Sequence, residues 1–317
     1  MVIVDVIKSI VPIIILILIG YLIHRKKRID DGFNANVSYL VMNIALPASV
    51  FISVTKNLTV PELKTLALPL LIGVAAFAVN YVFAFFLMKV TKIPKGRRGI
   101  FVNTIVNANT IFIGMPLNEA LFGDAAVKYF LVYYVLNTIS TWTIGSILIA
   151  NDSKADSLSR GKINLKKILS PPIIGFVIAI AILLSGITIP AMITDTFTYL
   201  GNLVTPLSLI YIGVVLSKAG LKSIHLDRDT VTALLGKFVL SPLVMAFSIF
   251  VSAKTGMTID SALRRTLIVQ AAVPALTVLP ILADEGNGDV EYATNVVTTS
   301  TILFIAVIPV VMLLLSK

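Results

Sequence analysis

Ten stretches of about 20 mostly apolar residues follow one another along this chain, and that is the length a helix needs to cross the hydrocarbon core of a bilayer. They run over 4–23, 34–54, 66–88, 98–121, 126–149, 168–186, 196–217, 231–253, 263–283 and 291–315, with no long polar domain between them. Lipid offers backbone N–H and C=O groups no partner, so each stretch is expected to be helical, whereas the strands of a barrel would read as short alternating segments. The expected fold class is an all-α integral membrane protein with ten transmembrane helices. Composition points the same way: 57% of the residues are hydrophobic, 13% are charged, and the mean hydropathy is +0.97. A water-soluble protein could not cover such an apolar surplus with polar surface, so the lipid bilayer is one partner of this chain.

The net charge of +10 does not imply nucleic acid, because the basic residues sit between apolar runs. Arg25, Lys26, Lys27 and Arg28 follow span 1; Lys89, Lys92, Lys95, Arg97 and Arg98 follow span 3; Lys154, Arg160, Lys162, Lys166 and Lys167 lie in the middle loop; Lys218, Lys222 and Arg228 follow span 7. With ten spans these loops share one side, which the excess of Lys and Arg marks as cytoplasmic. A multi-pass protein of the cell membrane with both termini outside is expected. The first apolar run lacks a basic start and a small-residue cleavage site, so it reads as a retained helix. There is no cysteine, and the two histidines, His24 and His225, lie in basic loops. Disulfides, Cys-ligated metals, a His-based zinc site and a Ser-His triad are therefore not expected, and neither is any metal or organic cofactor.

The halves repeat. Pro12-Ile13-Ile14 matches Pro172-Ile173-Ile174, and Asn43, Pro47 and Ser49 match Asn202, Pro206 and Ser208 with the same internal spacing. Arg97-Arg98 and Asn103 match Arg264-Arg265 and Gln270. The offsets all lie at about 160 residues, which reads as a duplication of five helices. Five is odd, so the second copy enters the membrane inverted, the plan of many secondary transporters. Residues 1–150 form the first repeat, 151–167 a cytoplasmic linker and 168–317 the second repeat.

Corresponding spans 4 and 9 carry the chemistry. Span 4 holds Asn103, Asn107, Asn109, Thr110, Gly114 and Pro116; span 9 holds Gln270, Pro274, Thr277 and Pro280. Proline removes a backbone donor and frees carbonyls, which at membrane depth must find protein, water or ligand. If both helices unwind near the midplane, N-terminal half-helix ends attract an anion, and C-terminal ends with free carbonyls attract a cation. The plainer alternative is a proline kink with amides bonded between helices; paired breaks at related positions favour a binding site. Asn43, Ser49, Asn202 and Ser208 form a second matched set that either lines the pathway or merely kinks. Lys237, inside span 8, is either a counter-charge for an anionic substrate or a residue that snorkels to an interface. Glu119 and Asp124 follow the break in span 4 and are the nearest acids for coupling to protons or sodium.

Two of these motifs resemble a known family. The stretch from Asn109 and Thr110 through Gly114, Pro116 and Leu117 to Phe122-Gly123 resembles the fourth helix of the auxin efflux carrier family, which includes plant PIN-type carriers and bacterial malonate or malate permeases. Ala271-Ala272 and Pro274 through Pro280 to Ala283-Asp284-Glu285 is similar to its ninth helix. The resemblance implies broken crossover helices 4 and 9, a scaffold of helices 1, 2, 6 and 7, and a transport domain of helices 3–5 and 8–10. It also implies an organic carboxylate held at the crossing, with Asn109 as the crossover asparagine and Pro274 as the crossover proline. Ala108 stands where the plant carriers have proline, a departure that bears on the shape of the first break. The short middle loop matches the compact prokaryotic branch.

The expected activity is alternating access, elevator-like, for a carboxylate such as malonate, malate or an auxin-like monoanion. A monoanion leaving a negative interior gains about 2.3 kcal/mol per 100 mV, so export needs no coupling ion, whereas uptake of a dicarboxylate needs symport with Na+ or H+. A homodimer through the scaffold helices is a further partner to be tested. The rival classes are a channel or a non-transporting carboxylate sensor of the same fold. Gly286-Asn287-Gly288-Asp289 fits the motif of intramembrane aspartyl proteases, but these need a second aspartate at depth, which no span supplies. No phosphate-binding Gly-Lys-Ser/Thr loop occurs, and no enzymatic activity is expected.

Overall fold

The computed structural model describes residues 2–30, 32–152, 169–220, 224–254, 256 and 259–315, with side chains from residue 11 onward. The middle-loop residues Lys154, Arg160, Lys162, Lys166 and Lys167, and also Lys222, lie outside the described residues, as does most of the expected linker. The described chain is helical and contains no strand. Its helices are α1 (Val2–Arg25), α2 (Phe33–Asn57), α3 (Val60–Val90), α4 (Arg98–Phe122), α5 (Asp124–Ala150), α6 (Pro171–Ser185), α7 (Ala191–Ala219), α8 (Arg228–Lys254), α9 (Ser261–Ala271), α10 (Leu279–Glu285) and α11 (Val290–Leu315).

Seven of them, α2, α3, α4, α5, α7, α8 and α11, are long and apolar enough to cross a membrane. They answer to seven of the ten expected spans. Spans 1 and 6 correspond to shorter apolar helices, Val11–Arg25 and Pro171–Ser185. Span 9 is not one helix but two, α9 and α10, because the chain leaves helical geometry over 272–278 around Pro274.

Local signals set the ends. Thr59 and Glu62 form a capping box at the start of α3, and Asp227 and Asp260 accept backbone N–H groups at the starts of α8 and α9. Gly123 and Gly220 take positive φ (77° and 71°) where α4 and α7 stop, a conformation that β-carbon sterics deny most residues. Helices also widen by one residue at Val41–Ala45, Thr110–Gly114 and Gly236–Leu240. Each of these three contains the residue four positions before a proline (Pro47, Pro116 and Pro242), whose missing N–H leaves that carbonyl without its usual donor, whereas a fourth widened turn, Thr141–Gly145, has no such proline.

The helices pack in two sets. In one, α1 lies along Val204–Ala219 of α7, while α6 and Ala191–Gly201 of α7 lie along Leu46–Asn57 of α2. There α1 and α7 touch through backbone: a Cβ on Gly20 would meet the main chain of Ile210, and one on Gly213 that of Ile17. In the other set α3 packs on α8 and on the first half of α4, α8 packs on α9, and α9 on α5. α4 lies deepest, with 94% of its central window buried against 39% for α3. Outward faces stay apolar, as lipid demands: Val82 and Phe86 on α3, Leu243 and Phe247 on α8.

Candidate functional site

Two interruptions meet inside the bundle. In α4 the helix stops at Val106, runs non-helically through Asn107, Ala108 and Asn109, and resumes at Thr110. The other interruption separates α9 from α10. The Asn109 N–H donates to the Pro274 carbonyl at 2.8 Å, so the two breaks touch through main chain.

The first break occurs without a proline at 108. Asn109 has φ −74° and ψ 69°, and the Thr110 N–H donates to the Ala108 carbonyl at 2.8 Å, which is an inverse γ-turn. Side chains bind the groups that leave the helix. Asn137 on α5 accepts from the Ala108 N–H (2.8 Å) and donates to the Ala108 carbonyl (2.9 Å), taking both main-chain groups at once. The Lys237 ammonium on α8 donates to the Asn107 carbonyl at 2.9 Å. Asn109 Oδ1 accepts the Phe112 N–H and caps the resumed helix. The Asn107 side chain is held behind the break, donating to Asn103 Oδ1 (2.8 Å) and accepting from Ser140 Oγ (2.6 Å), itself bonded to the Tyr81 hydroxyl. At the second break, the Ala275 N–H donates to Ser300 Oγ at 3.2 Å.

Gln270 joins the two interrupted segments. Its Nε2 donates to the Gly114 carbonyl at 2.9 Å, and its buried Oε1 makes no hydrogen bond within the protein. A Cβ on Gly114 would collide with that amide, so glycine is required there for the close approach.

Beside the crossing lies a cavity of about 300 Å3. Asn109 and Thr110 reach it from one break and Leu276, Thr277 and Val278 from the other; α5 adds Tyr134, Asn137, Thr138, Thr141 and Trp142, and the starts of α2 and α6 add Ser38, Met42 and Pro171. It therefore lies toward the end of the bundle where α1 ends and α2 begins. No charged side chain lines it. Two buried polar atoms among its lining residues have no hydrogen-bond partner among the described residues: Asn109 Nδ2 and Thr141 Oγ1. The N-terminal end of the resumed α4 helix also borders it, and such an end carries a partial positive charge. The arrangement offers an anion or carbonyl oxygen neutral donors, and offers an apolar body the faces of Phe112, Trp142 and Leu276.

Of the residues singled out in the sequence, Asn109, Thr110 and Thr277 thus share one cavity. Asn107, Gln270 and Pro274 build the crossing behind it; Pro280 sits in the first turn of α10, and Pro116 opens the α-helical stretch Met115–Phe122 after the widened turn Thr110–Gly114. Lys237 is fully buried and bound to the crossing, which rules out the snorkelling alternative. Asn43, Ser49, Asn202 and Ser208 do not line this cavity. Asn43 faces an apolar groove between α2 and α6, Ser49 and Asn202 border a polar recess at the opposite end, and Ser208 is buried on α7 with an unpartnered hydroxyl. Sequence reasoning missed Asn137, Thr141 and Ser300. Each lies in an unbroken helix beside other polar residues (Thr138 and Ser140, or Thr298, Thr299 and Thr301), so nothing in the sequence singles it out.

The family described as membrane transport protein matches residues 5–312. An uncharacterised transporter of Methanothermobacter thermautotrophicus is 22% identical over 303 residues, covering 95% of this chain and 96% of the relative. An uncharacterised transporter of Methanocaldococcus jannaschii is 23% identical over 303 residues, 93% and 94% of the two chains. An uncharacterised transporter of Escherichia coli strain K12 is 24% identical over 220 residues, 66% and 68%.

Proposed function

The chain belongs to the membrane transport protein family, that of the auxin efflux carriers, and from that premise we propose that it carries an organic carboxylate across the cell membrane by alternating access. The observation that carries this reading is the unpartnered Asn109 amide, buried in a cavity at the point where two broken helices cross. An unused buried donor is costly unless a ligand takes it. A carboxylate can accept from Asn109 and from the hydroxyls of Thr110, Thr141 and Thr277, and it gains from the positive end of the resumed helix. Lys237 acts from behind: its ammonium grips the Asn107 carbonyl and places positive charge near the crossing without entering the cavity.

In the proposed movement α1, α2, α6 and α7 form the scaffold, and α3, α4, α5 and α8 to α11 move as the transport body, which carries the crossing. Supporting this division, each set packs mainly within itself. Across the boundary, Phe112 beside the break stacks on Tyr211 of α7 at 4.4 Å between centroids. In this reading the chain makes ten crossings as two inverted repeats, with both termini outside and the cavity open to the basic, cytoplasmic side.

The test is flux in proteoliposomes, preceded by a thermal-shift screen of mono- and dicarboxylates with and without sodium, since a ligand of the folded state raises its apparent stability. Asn109→Ala is expected to cut flux at least about tenfold, an effect of about 1.4 kcal/mol on the rate-limiting barrier. Unchanged flux in Asn109→Ala would remove the cavity from the pathway.

A further inference from the structure

At the opposite end of the same helices lies a recess of about 320 Å3. Ser53 and Lys56 of α2, Glu119 of α4, Asp124 of α5, and Thr198 and Asn202 of α7 line it. It separates the resumed half of α4 from α2 and α7, and so lies across the boundary at which alternating access would open and close this end.

Glu119 crosses that boundary. Its carboxylate accepts a hydrogen bond from the Thr205 hydroxyl of α7. It is half-buried and has no cationic partner among the described residues. The charged groups around it do not compensate it. Lys56 lines the same recess but donates to Thr198 Oγ1 at 3.2 Å, and Asp124 adds a second negative charge. α9, which also packs on this part of α4, carries Arg264 and Arg265, both exposed, and neither pairs with Glu119. α1 packs there too and contributes no charged side chain over 11–23. A second observation is independent of the acid: Ser53 is 4% exposed, and its hydroxyl lies in the wall of the recess with no partner among the described residues.

We propose that Glu119 binds a proton when this end of the bundle is closed and releases it when the end opens, so that acidity favours the arrangement described here. The reasoning is linkage: a proton bound better by one conformation draws the protein toward that conformation. Closed, the acid faces one hydroxyl and no cation, and protonation removes its charge while adding a donor for its surroundings. Open, water solvates the carboxylate. The proposal rests on the alternating-access reading above, and its test needs no substrate, so the two can fail separately.

The chain has no cysteine, so Ser53→Cys supplies a single thiol inside the recess. In purified full-length protein, the rate of maleimide modification is divided by that of the unfolded protein at the same pH, which cancels the thiol's own ionisation. In the otherwise native background this ratio is expected to rise at least about threefold between about pH 5.5 and about pH 8, as a shift between two conformations would require. With Glu119→Gln, a permanent mimic of the neutral acid, it stays at its low-pH value throughout; with Glu119→Asp, pH dependence returns. A ratio that is flat in the native background overturns the proposal. So does a pH dependence that survives Glu119→Gln, and its disappearance in Asp124→Asn would assign it to Asp124. A thermal unfolding midpoint of Glu119→Gln close to that of the native protein establishes that the variant still folds.

Discussion

The two breaks at the crossing are built by different means. In α4 no proline lies inside the interruption, and side chains from α5 and α8 bind the Ala108 N–H, the Ala108 carbonyl and the Asn107 carbonyl, beside the γ-turn bond from the Thr110 N–H. Between α9 and α10 a proline sets the interruption: Pro274 has no N–H to satisfy, and only the Ala275 N–H draws on a side chain, that of Ser300. The first break therefore depends on its neighbours, whereas the second is largely inherent in its own chain.

Graded substitutions would break or sharpen that contrast, read as thermal unfolding of the purified protein in detergent. Asn137→Ala leaves the Ala108 N–H buried and unpaired and takes one of two donors from the Ala108 carbonyl, which keeps the Thr110 N–H. A stranded buried group costs about 1–3 kcal/mol and a lost hydrogen bond about 0.5–1.5 kcal/mol, so this variant should show the largest fall in Tm. If Asn137→Ala melted with the native protein, the first break would not depend on α5. Ser300→Ala strands one N–H, that of Ala275, and is expected to cost about 1–3 kcal/mol. Lys237→Met deletes a buried ammonium together with the donor to Asn107. Because replacing a buried charge by an apolar chain of similar size is often near neutral, its Tm should shift little (within about 1 kcal/mol) while flux drops. A large loss of stability with intact flux would reverse the role given to Lys237. Pro274→Ala keeps the carbonyl that Asn109 uses and mainly loosens the unfolded chain, so it should cost only about 0.4–1 kcal/mol, the smallest change of the series.

Much of this could be read from the sequence, for physical reasons. Apolar length pointed to helices because lipid forces such stretches into them, while asparagines marked the first break and Pro274 the second. Asn109, Thr110 and Thr277 were therefore found. The partners were not, since Asn137, Thr141 and Ser300 sit in uninterrupted helices, and their importance comes only from what lies across from them. Ser49 and Asn202 repeat faithfully in sequence, yet they face the far recess, because a repeat fixes a position along a helix without fixing which gap between helices it meets. Lys237 was seen as a buried charge, but its target, a carbonyl freed by another helix, is invisible without the fold.

The contact between the breaks is a main-chain bond, from the Asn109 N–H to the Pro274 carbonyl. Such a joint is blind to the genetic identity of either side chain, proline at the donor position excepted. Mutation can recolour the walls of the neighbouring cavity without unpicking the crossing itself. Changes to the cavity wall and changes to the crossing are therefore separable by substitution, the first through side chains and the second only through the main chain.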